Sequence, residues 1–460
     1  MGTAPATGAA KINETAPAIE TGIIERSGAR WILLLLCCIL HAINFADRAN
    51  LGIAIPSLRS EFHMTGAQLG QMGSLFFLGY FIIQIPAGWA VSKWGVRGFI
   101  SGTMIAFSAF TALIGTAVSG GMVKWFRVAL GICEAPTVVA SNGSIKTWFP
   151  AKERGTALGC LTGATTLAVG LTPIFASWIL KDLGWRYIFF IFAIPGVILS
   201  GFWYWFVRRY PQESKYVNQS ELEYISKAVP TRGQKTAAIG ALGWFDKFLR
   251  AKPVAFLEEN RKIFASRNIW GVFLVYLFIQ IIFYGVSFWV PSYLRDAKHF
   301  SIMQSGALAA VPWLGGVVGN FFGGWISDNF LYGRRKPMML IAGLGTAFGM
   351  WSILAATSTS GLTVALFVTG IFANIGWTSY FGFPMAFTTA KTYPVAISVM
   401  IMGGNIGAFI SPWTLGWLLD RYKNNYDVIF IFMGLAAILS LICALAFLDE
   451  PVNMPGTKAA

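Results

Sequence analysis

Four ionisable residues stand inside otherwise oily stretches of the chain. Asp47 and Arg48 are neighbours in NFADRANLGIAI, Asn44 to Ile55, and Arg127 and Glu134 share the run RVALGICEAP. An arginine stays charged and grips a carboxylate through two parallel hydrogen bonds. An aspartate or glutamate in a buried site can exchange a proton. An anion site beside such carboxylates can couple two flows: protonating the acid frees its arginine for an incoming anion, and losing the anion lets the acid shed its proton. By linkage each ligand then affects the other.

Depth decides whether these charges are ordinary. The apolar run from Trp31 to Ala46 covers about 24 Å at 1.5 Å per residue, less than a hydrocarbon core of about 30 Å. A helix crossing there must run on to about Ile55, which sets Asp47 within the membrane. Charges at such depth are costly and face the bundle interior or water. Adjacent helical residues do not face each other, so Asp47 and Arg48 need separate partners rather than one another. Glu134 lies seven residues past Arg127, two turns along one helix face and about 10 Å away, too far for easy pairing within the helix. Its expected depth matches that of Asp47, so two carboxylates and two guanidiniums from two helices are expected to converge near mid-membrane. The competing reading is a buried ionic staple, which adds little net stability. Pro136 removes a backbone bond just past Glu134.

The elements that carry these residues follow from composition. The 460-residue chain is 55% hydrophobic and only 12% charged, with a mean hydropathy of +0.61, whereas soluble domains carry about a quarter charged residues. Apolar runs near span length recur throughout, so an all-α polytopic membrane protein is expected. Twelve spans are read: six within 31–208 and six within 267–448, separated by a polar segment at 209–266. Residues 1–30 read as a disordered tail without a signal peptide core, and 449–460 as a second tail. The net charge of +15 resides in short connections, such as Lys93/Arg97 and Arg334/Arg335/Lys336, and in the central segment. That pattern fits the positive-inside rule, not nucleic-acid binding, and places both termini in the cytoplasm of a plasma membrane, a bacterial inner membrane by expectation. All five cysteines, Cys37, Cys38, Cys133, Cys160 and Cys443, lie in apolar runs with no CxxC pair; they read as small buried hydrophobes.

The halves repeat. AGWAVSKWGVR (Ala87–Arg97) closes the second span and GGWISDNFLYGRRK (Gly323–Lys336) closes the eighth, which points to two pseudo-symmetric six-helix bundles. Twelve spans with this repeated loop resemble the major facilitator superfamily. DRANLGIAIP, GYFIIQIPAGW and RVALGICEAP…WFPAKERGTALG resemble its anion:cation symporter family, which includes sugar-acid carriers and, distantly, sialin. The resemblance implies that Arg48 binds a substrate carboxylate, that Asp47 and Glu134 carry protons with Arg127 as a switching partner, and that Tyr80 and Asn405 contact substrate. Phe45 stands where some sugar-acid carriers have tyrosine, and Ser92 stands where the usual loop pattern has an acid, while Asp328 is kept in the second copy.

The C-terminal half offers uncharged polar candidates in its spans, among them Gln280, Tyr284 and Asn374 beside Asn405; helix–helix glue competes with substrate contact at each. Glu153 and Arg154 read as a structural or gating ion pair at the end of the fifth span, with Asp328 assigned to gating by its loop position. No HExxH, P-loop or nucleophile elbow occurs, and His41, His63 and His299 are scattered, so no metal, cofactor or enzymatic activity is expected. The expected function is import of a small organic anion with protons, by alternating access, in a protein working as a monomer in the lipid bilayer. An exchanger or efflux carrier on the same fold is the alternative. A non-transporting anion sensor would need an output module that the short central segment does not provide.

Overall fold

The computed structural model describes residues 26–226, 243–331, 333–389 and 392–452. Most of the N-terminal tail expected at 1–30, residues 227–242 of the central segment and the chain beyond residue 452 lie outside the described residues. Among the described residues twelve helices are long and apolar enough to cross a membrane, and the protein is a multi-pass membrane protein. Spans 1 to 6 are Ala29–Phe62, Gly66–Trp94, Gly98–Gly115, Gly120–Trp148, Ala151–Asp182 and Trp185–Phe206. Spans 7 to 9 are Arg267–Ser292, Ile302–Asn329 and Lys336–Ala355. Span 10 is Thr359–Ile375 continued by Trp377–Met385, and spans 11 and 12 are Tyr393–Arg421 and Asp427–Phe447. Span 10, expected to be continuous, breaks at Gly376, where a Cβ would come within 2.7 Å of the Tyr380 hydroxyl.

Local chemistry repeats with the topology. Span 2 starts with a capping box, Thr65 and Gln68 exchanging side-chain and backbone bonds. Span 8, six spans later, starts with another formed by Ser301 and Gln304. Each satisfies helix N–H groups that have no partner in their own helix. Packing repeats as well: span 1 lies on 5, 2 on 4 and 3 on 6, and correspondingly 7 lies on 11, 8 on 10 and 9 on 12. The two six-helix bundles then meet along 2 with 11 and 5 with 8, with 1 against 7.

Glycines allow the closest of these approaches. A Cβ at Gly70 would sit 2.1 Å from the Pro412 carbonyl oxygen, and one at Gly416 would sit 2.1 Å from that of Gly66. Spans 2 and 11 therefore touch backbone to backbone, as small residues permit in membranes. At this same end, Arg59 pairs with Asp296 at 3.5 Å, and the Trp413 N–H donates to Ser74 at 3.2 Å. Nearer the middle come Asn405 to Gln84 at 2.9 Å and Asn320 to Thr166 at 3.5 Å. Towards the end carrying the central segment, a Cβ at Gly88, Gly155, Gly159 or Gly163 would meet no described atom within 4 Å. The halves are thus closed where span 2 begins and part at the opposite end.

The central segment is more than a polar tether. Its short helix Gln219–Ser226 brings Glu221 to the start of span 1. There the carboxylate accepts from the Ala29 N–H at 3.1 Å, the Arg30 guanidinium at 2.7 Å and the Ser27 hydroxyl. Farther on, Lys252–Pro253 forms a two-residue parallel ladder with Pro451–Val452. Beside it, Glu450 accepts the N–H groups of Arg335 and Lys336 at 2.9 and 2.7 Å, capping span 9. The Lys336 ammonium donates to the carbonyls of Leu249 and Leu448, and Arg334 pairs with Asp246 at 2.8 Å.

Candidate functional site

Span 1 has to carry polar residues through a buried helix, and Asn44, Asp47 and Arg48 each find a partner on another span. Arg48 turns to span 4, where Nε and Nη2 donate to one oxygen of Glu134 at 3.2 and 3.1 Å. The second oxygen, Oε1, is buried and has no hydrogen-bond partner. The third donor, Nη1, lies 3.5 Å from the Tyr284 hydroxyl on span 7, so one guanidinium reaches both halves. Aromatic faces surround it: the Phe45 ring centroid is 4.4 Å away, and those of Phe76 and Tyr80 are each 5.1 Å away. Such faces attract a cation without neutralising it, which leaves the arginine able to take an anion.

Asp47 turns the other way, as adjacent helical positions must. It is 1% exposed, and its oxygens accept from Asn50 at 3.3 Å and from Thr111 on span 3 at 3.1 Å. The expected convergence of two acids on two guanidiniums is therefore only partly formed. Arg127, 1% exposed, donates Nη1 to the Asp47 carbonyl at 2.9 Å and Nε to the Met72 carbonyl at 3.4 Å, with its face 4.8 Å from the Phe76 ring. In this state it clasps main chain rather than a carboxylate, because the rotation of span 4 aims it at the backbone of spans 1 and 2. Arg48 and Glu134 form the one ion pair at the centre among the described residues.

The remaining candidates divide. Tyr80 and Tyr284 belong to the Arg48 surround, and the Tyr284 ring packs 4.4 Å from Phe77. Gln280, buried with an unpartnered Oε1, lies on the same helix as Tyr284, one turn away. Asn405 bonds across the halves to Gln84. Asn374 is placed differently: its amide donates to the Gly370 carbonyl at 3.0 Å, and it seats span 8, where a Cβ on Gly316 would meet its Nδ2 at 2.7 Å. Span 8 approaches span 10 through Gly315, Gly319 and Gly323, whose Cβ atoms would meet span 10 carbonyls at 1.9–2.2 Å, and Asn374 packs against Gly316 within that contact. Glu153 and Arg154 do not pair with each other. Arg154 donates to the carbonyls of Phe149 and Lys146, whereas Glu153 takes Arg30 at 3.0 Å and the Tyr224 hydroxyl at 2.5 Å. Asp328 pairs with Arg335 at 3.0 Å while remaining largely exposed.

Several contributors escape a reading of the sequence. Thr111 and Phe76 look like ordinary span residues until helix rotations are known. Asn44 donates to the Thr137 hydroxyl at 2.5 Å, which donates to the Glu134 carbonyl at 2.6 Å. His41, 7% exposed with Nε2 unpartnered, shares the face of Asn44 and Arg48 by helical spacing; three- and four-residue steps between buried polar residues were the available signal. Among the described residues no His, Cys, Asp and Glu group has metal-site geometry.

The profile of the Major Facilitator Superfamily matches residues 37–331 and 314–460. The chain belongs to the Major Facilitator Superfamily. Within it, the chain is 27% identical over 445 residues to a probable galactarate/D-glucarate transporter, GarP, of Escherichia coli K12, covering 92% of this chain and 96% of that protein. It is 25% identical to a probable L-galactonate transporter of the same organism, covering 95% and 94%. Among solved superfamily structures, an inward-facing, unoccupied bacterial homologue of the lysosomal transporter Spinster superposes with a TM-score of 0.71 at 17% identity, covering 91% of this chain and 98% of that one. A D-xylose–proton symporter gives 0.68 at 17% identity, covering 92% and 98%. These two share the fold. This superfamily member is a transporter rather than an enzyme.

Proposed function

We propose that the protein imports a small organic anion, a sugar acid or related carboxylate, together with protons across a bacterial plasma membrane. The observation that carries this reading is the Arg48–Glu134 pair, desolvated and reaching Tyr284 of the opposite half. A buried pair is a poor source of net stability but a good exchange point. A substrate carboxylate displaces Glu134 from Arg48 when Glu134 gains a proton, and the free Oε1 of Glu134 is where a proton can add. Asp47 is the second proton carrier, and the unpartnered amide oxygen of Gln280 offers a hydroxyl acceptor. Sugar-acid relatives support the substrate class. Phe45 against Arg48 presents an apolar face there, favouring substrates with fewer hydroxyls than a hexarate.

In this reading the parted end faces the cytoplasm, as do both termini and the basic central segment, and the structure is inward-facing. The working unit is one chain. A monoanion entering against an inside-negative potential is opposed by about 2.3 kcal/mol per 100 mV, so more than one proton is needed for net charge drive. Two carboxylates meet that need.

Reconstituted protein tests it. Labelled galactonate, galactarate and simpler carboxylates are offered to proteoliposomes with an imposed inward proton gradient. Accumulation that the gradient drives and Glu134→Gln abolishes, while counterflow persists, is the expected result. Uptake only against substrate trapped inside would establish an exchanger instead, and binding without flux a sensor.

A further inference from the structure

A basin of about 300 Å³ opens on the N-terminal half at the end that carries the central segment. Lys93 and Arg97, from the turn joining spans 2 and 3, line one side; Arg208, Arg209 and Glu213, just after span 6, line the other. Four cations thus face one acid, and among the described residues none of the four forms an ion pair. Arg97 donates Nε to the Tyr204 carbonyl at 2.8 Å, and Arg208 donates to the Val207 carbonyl at 2.9 Å. Lys93 lies 4.7 Å from the Trp89 ring. Glu213 accepts the backbone N–H of Arg209 at 3.2 Å. Ser92 in the same turn only bonds back to the Trp89 carbonyl at 2.7 Å.

The surroundings say where this charge sits. Trp89, Trp94, Tyr204, Trp205 and Tyr210 are all exposed around the basin, and amphipathic aromatics of this kind lie at the level of lipid headgroups. Backbone and aromatic partners leave the positive charges unneutralised, at the depth where phosphodiesters lie and beside walls that acyl chains can cover. Basic pockets at span ends recognise anionic headgroups by this combination.

We propose that the basin binds the headgroup of an anionic glycerophospholipid, its phosphodiester held by Lys93, Arg97 and Arg209. The Glu213 carboxylate accepts from a headgroup hydroxyl, which selects phosphatidylglycerol over phosphatidic acid. The lipid supplies the negative charge that the turn between spans 2 and 3 lacks, and ties that turn to the start of the central segment. None of this depends on which solute is carried.

Native mass spectrometry of the purified full-length chain tests it, with palmitoyl-oleoyl phosphatidylglycerol, phosphatidylcholine of the same chains, and soluble glycerol phosphate added in turn. Phosphatidylglycerol should be retained under activation that strips phosphatidylcholine. Arg97→Gln and Arg209→Gln should each weaken retention about fivefold. Ser92→Asp, an exposed substitution that keeps every cation and adds a carboxylate beside Lys93, should weaken it as well. Equal retention of both lipids, or retention unchanged in all three variants, would overturn the site. Displacement by equimolar glycerol phosphate would show a soluble-anion site and overturn the lipid reading.

Discussion

Asp420, at the end of span 11, accepts the N–H of Gly66 at 2.6 Å and that of Ala67 at 2.7 Å, at the start of span 2. The first N–H groups of a helix have no internal partner and form its positive end. Here a carboxylate of one bundle caps a helix of the other, so both bonds exist only while the halves are closed at this end. Asp420→Ala removes two charge-assisted bonds, each contributing about 1.5–3 kcal/mol. In a background with the native cysteines replaced, the Ser74→Cys thiol should then be labelled from that side about a hundredfold faster. Unchanged labelling would show that the latch does not hold the closed state.

Arg48 uses all three of its nitrogens in a planar arrangement that a lysine cannot reproduce. Arg48→Lys keeps the charge and loses the fork. Substrate affinity should fall about tenfold or more, at roughly 1.5–3 kcal/mol per charged hydrogen bond, as read by titration calorimetry. Affinity within twofold of the parent would remove Arg48 from the anion site.

Asn374 gives the opposite expectation. Its amide bonds its own helix at Gly370 and seats Gly316, so Asn374→Ala opens a gap between spans 8 and 10. The melting temperature should drop, by about 1–3 kcal/mol of stability for a buried partner lost, while substrate affinity stays within about twofold. A selective loss of affinity at unchanged melting temperature would restore Asn374 to the substrate site.

Glu221 sets a pH limit on the clasp at the start of span 1. Burial opposes its ionisation, but the hydrogen bonds from Ser27, Arg30 and Ala29 outweigh that and hold its carboxyl below the usual 4.5. An acid whose folded-state pKa is depressed contributes stability above its unfolded value and loses it as pH falls through the folded value. Backbone amides of residues 29–32 and 219–226 should therefore stay protected from hydrogen exchange at pH 5 and above and lose protection together well below pH 4.5. Glu221→Gln should weaken that protection already at neutral pH, since it removes one of the two carboxylates that hold Arg30 and leaves only Glu153 at 3.0 Å. Protection that does not change with acid would contradict the assignment.

The spans and their repeat could be read from the chain because apolar run length and basic connections report directly on the bilayer. That Asp47 and Glu134 are buried was legible because both stand within apolar runs. Which acid meets which arginine was not. That depends on helix rotation, and a turn of 100° separates Arg48 facing Glu134 from Asp47 facing Thr111. Arg127 shows the limit most clearly, since a guanidinium bonded to carbonyls looks in sequence like one awaiting a carboxylate. The roles of Glu221 and Glu450 were invisible for another reason: an acid in a polar stretch gives no sign that it will be buried.

The two clasps also carry an order in time. Span 1 is capped by Glu221, so the N-terminal bundle can be finished while ribosomes are still making the rest. Span 9 is capped by Glu450, and its neighbouring ladder uses Pro451 and Val452. The C-terminal bundle must wait with bare N–H groups at Arg335 and Lys336 until residue 450 has been made. A chain stopped at residue 448 would hold all twelve spans and still lack the piece that fastens the second half.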